Sequence, residues 1–323
     1  MGRTLSYVDK ADWPVKAGRH KLHTLFIKDE PKGLLKMTNY LVTGATGNLG
    51  GLTVEALLKT VPANQVSILA RDPSKAAALK ASGVKVVKAD YFDYQSLVNV
   101  FSDVDKLLLI GAVSLSNRAP QHENMIKAIE ETRPGHVVYV GFHRKETSKI
   151  KLREVTDVEI KSEQDLLKSG VDYTIVRNPL YAQAFKQLLG GNVKDEGVRA
   201  FGPEGKTTYA DISDLGQANA NLLTQDGHKN KFYDLNSGEA VTLKDMAKLW
   251  SEVYGTPVPY IHGTKQEFID ALVARGLPLE RAEYAAAFIN AVAEGEFSET
   301  SNSLQTILGR KPKSLKETFK ANL

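Results

Sequence analysis

The chain has 323 residues, 42% hydrophobic, 25% charged and 8% aromatic, a balance that excludes a disordered chain, collagen and a coiled-coil rod. Its longest apolar run, residues 107–113, is about a third of the ~20 residues a membrane span needs, so no membrane span is expected. Cysteine is absent, which removes disulfides, thiol nucleophiles, iron–sulfur clusters and Cys-ligated zinc and fits a cytoplasmic location.

The net charge of +4 sits in residues 1–36, which carry eight Lys or Arg against four acids, and the remaining 287 residues are neutral. A neutral body lacks the electrostatic footprint of a phosphate-backbone binder, so no nucleic-acid partner is expected. Residues 1–36 show no apolar h-region and too many acids for a transit peptide. They are expected to lie outside the core, as an over-extended start or a surface arm, with a targeting or partner-binding arm as the alternative.

From Asn39 onward, short β-branched runs alternate with helical stretches. Strands are predicted at residues 40–43, 66–70, 84–88, 106–110, 137–140 and 173–176; most are near-continuously apolar, as parallel strands buried on both faces are. Asp72-Pro73 reads as an N-cap followed by Pro at the first helical position, with Gly83 closing that helix. Asp93 is placed to cap the next helix, and Gly170 to end the one over residues 154–169. Repeated β–α units imply a doubly wound, Rossmann-type parallel α/β sheet over residues 37–180. Residues 181–323 are read as a smaller, helix-rich C-terminal substrate lobe, some of whose segments return to the sheet. Its elements include a short strand at 231–235 and helices at 243–254, 264–275, 280–294 and 314–321.

The first predicted strand runs straight into Gly44-Ala45-Thr46-Gly47-Asn48-Leu49-Gly50, and a helix follows. Gly44 permits the tight turn, Gly47 a close approach of backbone to a pyrophosphate, and Gly50 a close helix–strand packing. The helix N-terminus adds free N–H groups and the positive end of a dipole. That placement points to a dinucleotide. The end of the second strand, ~20 residues past such a loop, contacts the adenosine ribose, and here it is Arg71, 21 residues after Gly50. An arginine fork complements a 2′-phosphate, with Lys75 as a second cation, so NADPH is favoured and NADH is the weaker possibility.

Reductases of this architecture commonly use a Tyr-x-x-x-Lys pair, in which the lysine lowers the phenol pKa. None of the twelve tyrosines has Lys four residues later. Without a positioned acid, hydride transfer to a simple ketone forfeits a factor of about 10² to 10⁴. A quinone yields a phenolate-like anion, and a cationic dye a neutral product, so such acceptors need little acid catalysis. They need a flat apolar slot, for which Phe142, Tyr181 and Phe185 are the candidates. The catalytic residue stays unknown, with Lys161 as a weak candidate base. No metal site is expected from His136 and His143, which lack a third ligand.

Thr43 to Gly51 (TGATGNLGG), Arg71 to Lys75 (RDPSK), Lys106 to Ile110 (KLLLI), Arg118 to His122 (RAPQH) and Tyr173 to Tyr181 (YTIVRNPLY) occur in order. Together they resemble the NmrA-like atypical short-chain dehydrogenase/reductases, most of all the branch of quinone oxidoreductases and triphenylmethane dye reductases. The resemblance implies an NADPH-dependent reductase without flavin or metal. By position it puts Gly44, Thr46, Gly47, Asn48, Leu49 and Arg71 at the pyrophosphate and adenosine end, and Asp90 and Tyr91 near adenine. Gly111 and Ala112 fall near the central riboses, and Gly141, Phe142, Asn178 and Leu180 near nicotinamide. Two departures stand out: Glu159 where the branch often carries His, and Val140-Gly141 where it has Ser or Thr. The expected protein is a monomer or homodimer passing hydride to a small aromatic acceptor such as a quinone, azo compound or triphenylmethane dye. The rival is an NADP(H)-binding redox sensor without turnover; an open slot beside Phe142, Tyr181 and Phe185 favours chemistry and a filled one sensing.

Overall fold

The computed structural model describes residues 37–111, 117–147, 150–152 and 155–323. The expectations for residues 1–36 and for Ala112 lie outside the described residues. Six strands come first: β1 (Tyr40–Val42), β2 (Val66–Ala70), β3 (Lys85–Lys88), β4 (Lys106–Ile110), β5 (Val137–Phe142) and β6 (Tyr173–Asn178). Between them run α1 (Asn48–Leu57), α2 (Ala77–Ala81), α3 (Tyr94–Phe101), α4 (Arg118–Thr132) and α5 (Thr156–Lys168). Beyond them follow β7 (Leu180–Tyr181), α6 (Phe185–Leu188), α7 (Val193–Glu196), β8 (Val198–Phe201), β9 (Lys206–Ala210), α8 (Ile212–Thr224) and β10 (Lys231–Asp234). The last elements are β11 (Ala240–Thr242), α9 (Leu243–Tyr254), β12 (Tyr260–Gly263), α10 (Lys265–Ala274), α11 (Leu279–Ala293), α12 (Ser303–Leu308) and α13 (Leu315–Ala321).

The main sheet has seven strands in the order β10-β6-β5-β4-β1-β2-β3, every pairing parallel. It is the doubly wound, Rossmann-like sheet expected from the apolar runs. The order reverses at β1, between β4 on one side and β2 on the other, which opens a crevice at the carboxyl ends of those strands. β5 and β6 run two residues further than their apolar stretches suggest, because the ladder continues through Gly141↔Arg177 and Phe142↔Asn178. The strand near 231–235 returns to the main sheet as its edge, with Phe232 opposite Ile175. Asp93 caps α3 as expected, accepting from Ser96 N at 3.1 Å, whereas Asp72, accepting from Ser74 N at 3.0 Å, caps a 3₁₀ turn over Pro73–Ala76 and the α-helix expected from Pro73 begins only at Ala77. Gly170 ends α5 in the left-handed region.

Alternate residues of each strand feed opposite layers. Leu41, Leu107, Leu109 and Tyr139 pack with Phe101 and Ile129 on one face, while Val42, Ile68 and Leu108 pack with Leu57, Leu215 and Leu222 on the other. Each large side chain so buried contributes about 1.5–3 kcal/mol. α8 belongs to this second layer, lying so close on α1 that a Cβ at Gly216 would come within 2.9 Å of Leu52 Cβ. A third core, around Trp250, Phe319, Phe185, Phe288 and Phe297, fills the C-terminal region.

In the first β–α unit the close contact is between α1 and the turn before it: a Cβ on Gly50 would stand 2.4 Å from the Gly44 carbonyl oxygen and 2.7 Å from Ala45 Cα. Both obstacles are backbone, which cannot swing aside. Gly50→Ala is therefore expected to cost about 1–3 kcal/mol through overpacking, read as a lower urea midpoint of unfolding. An unchanged midpoint would show that α1 does not need this approach.

Candidate active site

The loop between β1 and α1 is built as its glycines predict. Gly44 has φ +63°, and a Cβ there would meet Ile110 Cβ at 3.1 Å. The Gly47 N–H donates to the Gly44 carbonyl at 3.0 Å. Gly47 is also the N-cap of α1, and no side chain caps that helix, so the first amides of α1 have no side-chain acceptor there. Thr46, Gly47 and Asn48 are exposed and Leu49 is buried beneath them. Thr43 ties the loop to β4: its N–H donates to Leu108 O at 3.0 Å, and its hydroxyl accepts from Ile110 N at 2.8 Å. The Tyr91 hydroxyl donates to Ile110 O at 3.0 Å, and burial pushes this phenol up to about 12, so it serves as a fixed donor.

Arg71 and Lys75 are exposed beyond the end of β2, and neither forms an ion pair with a carboxylate among the described residues. Asp90 accepts from Phe92 N at 3.1 Å, closing the turn after β3. Arg71 and Asp90 thus follow closely on the carboxyl ends of β2 and β3, with Lys75 four residues beyond Arg71.

On the other side, a cleft of about 250 Å³ opens at the ends of β4, β5 and β6. Gly111, Gly141, Phe142, Asn178, Leu180 and Tyr181, all singled out in the sequence, meet there. The far wall comes from α11, through Tyr284 and Phe288. Phe142 meets Phe288 and Phe297 edge-on, with ring centroids 5.8 and 5.4 Å apart. Tyr284 and Phe288 are one helical turn apart, and that spacing was the available signal for them.

Two expected members stand elsewhere. Phe185 is 1% exposed within the C-terminal core; it opens α6, and that short helix turns the ring into the lobe rather than toward the sheet. Lys161 lines a separate depression between α4 and α5, with Asp157 and Asp165. Two residues after Glu159, it faces a different side of α5. Its hydrogen bond to Asp165 raises the pKa and keeps the ammonium protonated, the opposite of what a base requires.

Glu159 and Arg118 take part in the cleft instead. They form an ion pair, and the Tyr139 hydroxyl donates to the same carboxylate at 2.5 Å. Burial raises the Glu159 pKa, and the Arg118 guanidinium opposes that rise. Burial, then the Glu159 charge, hold the Tyr139 phenol well above the usual tyrosine range. Behind them His122 Nδ1 lies 2.9 Å from the Ser162 hydroxyl, which itself donates to Val158 O at 2.8 Å. Ser162 therefore accepts from His122 Nδ1–H, leaving Nε2 as a buried acceptor with no hydrogen-bond partner. A Cβ at Gly111 would stand 2.9 Å from that Nε2, so glycine is required there.

A second buried cluster secures the segment after β5. Glu163 is held by Arg144 and by Arg177, at 2.6 Å each, and both guanidiniums together keep its carboxyl below the ordinary range although burial works against them. His136 pairs with Thr174 at 2.8 Å and His143 with Asp234 at 3.1 Å. No group of three His, Asp or Glu suited to a metal ion occurs among the described residues.

A reversed parallel sheet with a glycine turn on one side of its crevice and a half-apolar cleft on the other defines a dinucleotide-binding class of α/β protein. More narrowly, the chain belongs to the NmrA-like family, whose model matches residues 37–320. It is 32% identical over 277 residues to quinone oxidoreductase 2 of Escherichia coli (strain K12), covering 86% of this chain and 96% of that protein. The crystal structure of an Escherichia coli NADPH-dependent quinone oxidoreductase complexed with NADPH superposes with a TM-score of 0.80 at 32% identity, over 87% of this chain and 99% of that one. Triphenylmethane reductase from Citrobacter sp., complexed with NADP(H), gives a TM-score of 0.81 at 32% identity, over 88% and 100%.

The neutral histidine gives the site a pH signature. Burial and then Arg118 bring the His122 pKa down from 6.5 to about 3. Between those values the unfolded chain binds the extra proton, so the stability is complete above pH 6.5 and is lost as pH falls, by up to about 1.4 kcal/mol per pH unit. Replacing His122 by Asn should flatten the fall in urea midpoint between pH 7 and 5. An unaltered slope would mean that this imidazole is not held neutral by the fold.

Proposed function

We propose that this protein is an NADPH-dependent reductase that passes hydride directly to an electrophilic aromatic acceptor, a quinone, azo compound or triphenylmethane dye. The observation that carries the reading is the cleft itself, bounded by Phe142, Tyr181, Tyr284 and Phe288 where the ends of β4, β5 and β6 meet. Its aromatic walls suit a planar guest beside a reduced nicotinamide.

The residues present fit the cofactor. Gly44, Thr46, Gly47, Asn48 and Leu49 bring backbone amides to a pyrophosphate, over a turn where any Cβ at Gly50 would strike the Gly44 carbonyl. Arg71 and Lys75 answer a 2′-phosphate with two exposed cations, which favours NADPH over NADH. Asp90 and Tyr91 border the adenine, Gly111 the central riboses, and Gly141, Phe142, Asn178 and Leu180 the nicotinamide. The Asn178 side-chain oxygen is buried without a hydrogen-bond partner, an acceptor suited to a carboxamide N–H. When bound, the cofactor supplies the hydride, and the walls of the cleft hold the acceptor against it and exclude water.

A redox sensor without turnover would have the space beside these rings filled, whereas Phe142 and Tyr181 line an open cleft. In this role the protein acts in the cytoplasm, as a monomer or a homodimer.

The test is to follow NADPH absorbance with a panel of quinones, azo compounds and triphenylmethane dyes. Turnover of at least one class is expected, whereas tight NADPH binding with none consumed would replace this reading by the sensor. Arg71→Ala should cut the preference for NADPH over NADH at least ~10-fold, given that a charge-assisted hydrogen bond contributes about 1.5–3 kcal/mol. An unchanged ratio would remove Arg71 from the 2′-phosphate site.

A further inference from the structure

The opening turn of α4, from Arg118 to His122, has no part in holding the dinucleotide as assigned above, yet Arg118 lines the cleft together with Gly111, Gly141 and Tyr284. Building on the acceptor-reductase reading, we propose that Arg118 contacts the acceptor and determines specificity, stabilising the oxyanion that hydride delivery creates on a neutral quinone and disfavouring cationic dyes.

The ion pair is arranged front to back. The Arg118 side chain is 12% exposed and that of Glu159 only 1%, so the guanidinium is the end nearer to a guest. At contact distance the nearer charge of a pair dominates the field. Two glycines leave room for this. A Cβ at Gly111 would lie 3.3 Å from an Arg118 terminal nitrogen, and one at Gly141 would lie 3.2 Å from a Glu159 oxygen. Glu159 is a positioning residue: one oxygen takes Arg118 and the other takes Tyr139, so neither can turn away without breaking the second bond.

The chemistry supplies the discrimination. A hydride carries two electrons and a proton. Its transfer breaks a C–H bond at the dihydronicotinamide ring, leaves a pyridinium, and turns a neutral quinone into a hydroquinone monoanion, which then takes a proton from water. Delivered to a triphenylmethane cation, the same hydride forms a C–H bond and a neutral product. A fixed cation in the wall attracts the charge appearing on the quinone, but it repels the dye before reaction. Arg118 therefore raises kcat for quinones and raises KM for cationic dyes.

The experiment compares kcat and KM for an uncharged 1,4-naphthoquinone and a cationic triphenylmethane dye, with NADPH affinity measured by fluorescence titration. Arg118→Gln alone leaves a buried carboxylate uncompensated, so the main variant is Arg118→Gln with Glu159→Gln, which removes both charges together, and Arg118→Lys retains the cation. The double variant should lose quinone kcat by about a hundredfold, the order seen when one oxyanion donor is removed, while KM for the dye falls several-fold. Arg118→Lys should recover most of the quinone rate, and NADPH affinity should hold in both. Equal changes for the two acceptors, no change in either, or no recovery with lysine would overturn the role of Arg118. A wild-type protein that binds NADPH and reduces neither acceptor would instead overturn the reductase reading, and this inference with it.

Discussion

A helix can start this close to a strand only where no side chain stands between them, and the site is built on that constraint. The contact of Gly50 with the Gly44 carbonyl sets the first turn of α1 directly over the end of β1, where the strand order reverses. Helix amides thus face the mouth of the crevice. Thr43 keeps that crevice in shape by exchanging bonds with Leu108 and Ile110, and Tyr91 fastens the Ile110 carbonyl from the turn after β3. Removing the close approach would do more than loosen one helix, because the turn it touches leads straight from Thr43, which ties it to β4.

The parts legible in the sequence are those fixed by local chemistry. Near-continuous apolar runs mark strands covered on both faces, and Asp72 and Asp93 mark helix starts because their side chains reach the next free amides. The glycine turn is equally local. What stayed hidden depends on residues distant in the chain. Lys231 to Asp234 carries no local mark that it pairs with Tyr173 to Asn178; only the run of α8 back over α1 puts it there. Phe185 and Phe288 both belong to the core of the C-terminal region, and nothing in their neighbours says that only Phe288 also reaches the cleft. Lys161 drew attention because lysine is the familiar partner in such reductases. The residue on the cleft side of α5 is Glu159, two positions earlier, and its departure from the family pattern was the visible clue.

Buried ion pairs are weak sources of stability, since desolvation offsets most of the attraction, and their presence here is better explained by what they hold in place. Arg144 and Arg177 grip Glu163 from the segment after β5 and from β6, which fixes the strand ends bearing Phe142 and Asn178. Arg118 and Glu159 do the same for α4 against α5. The two carboxylates shift in opposite directions because one meets two guanidiniums and the other meets one. Counting only the buried or nearly buried members, three arginines face two glutamates; the remaining partner of Arg177 is Glu146, which is exposed to solvent and screened by it. Of these groups only Arg118 and Glu159 line the cleft, and the Glu163 cluster braces the strand ends behind it. On the proposed reading, Arg118 takes up the charge that a tyrosine–lysine pair would otherwise neutralise with a proton.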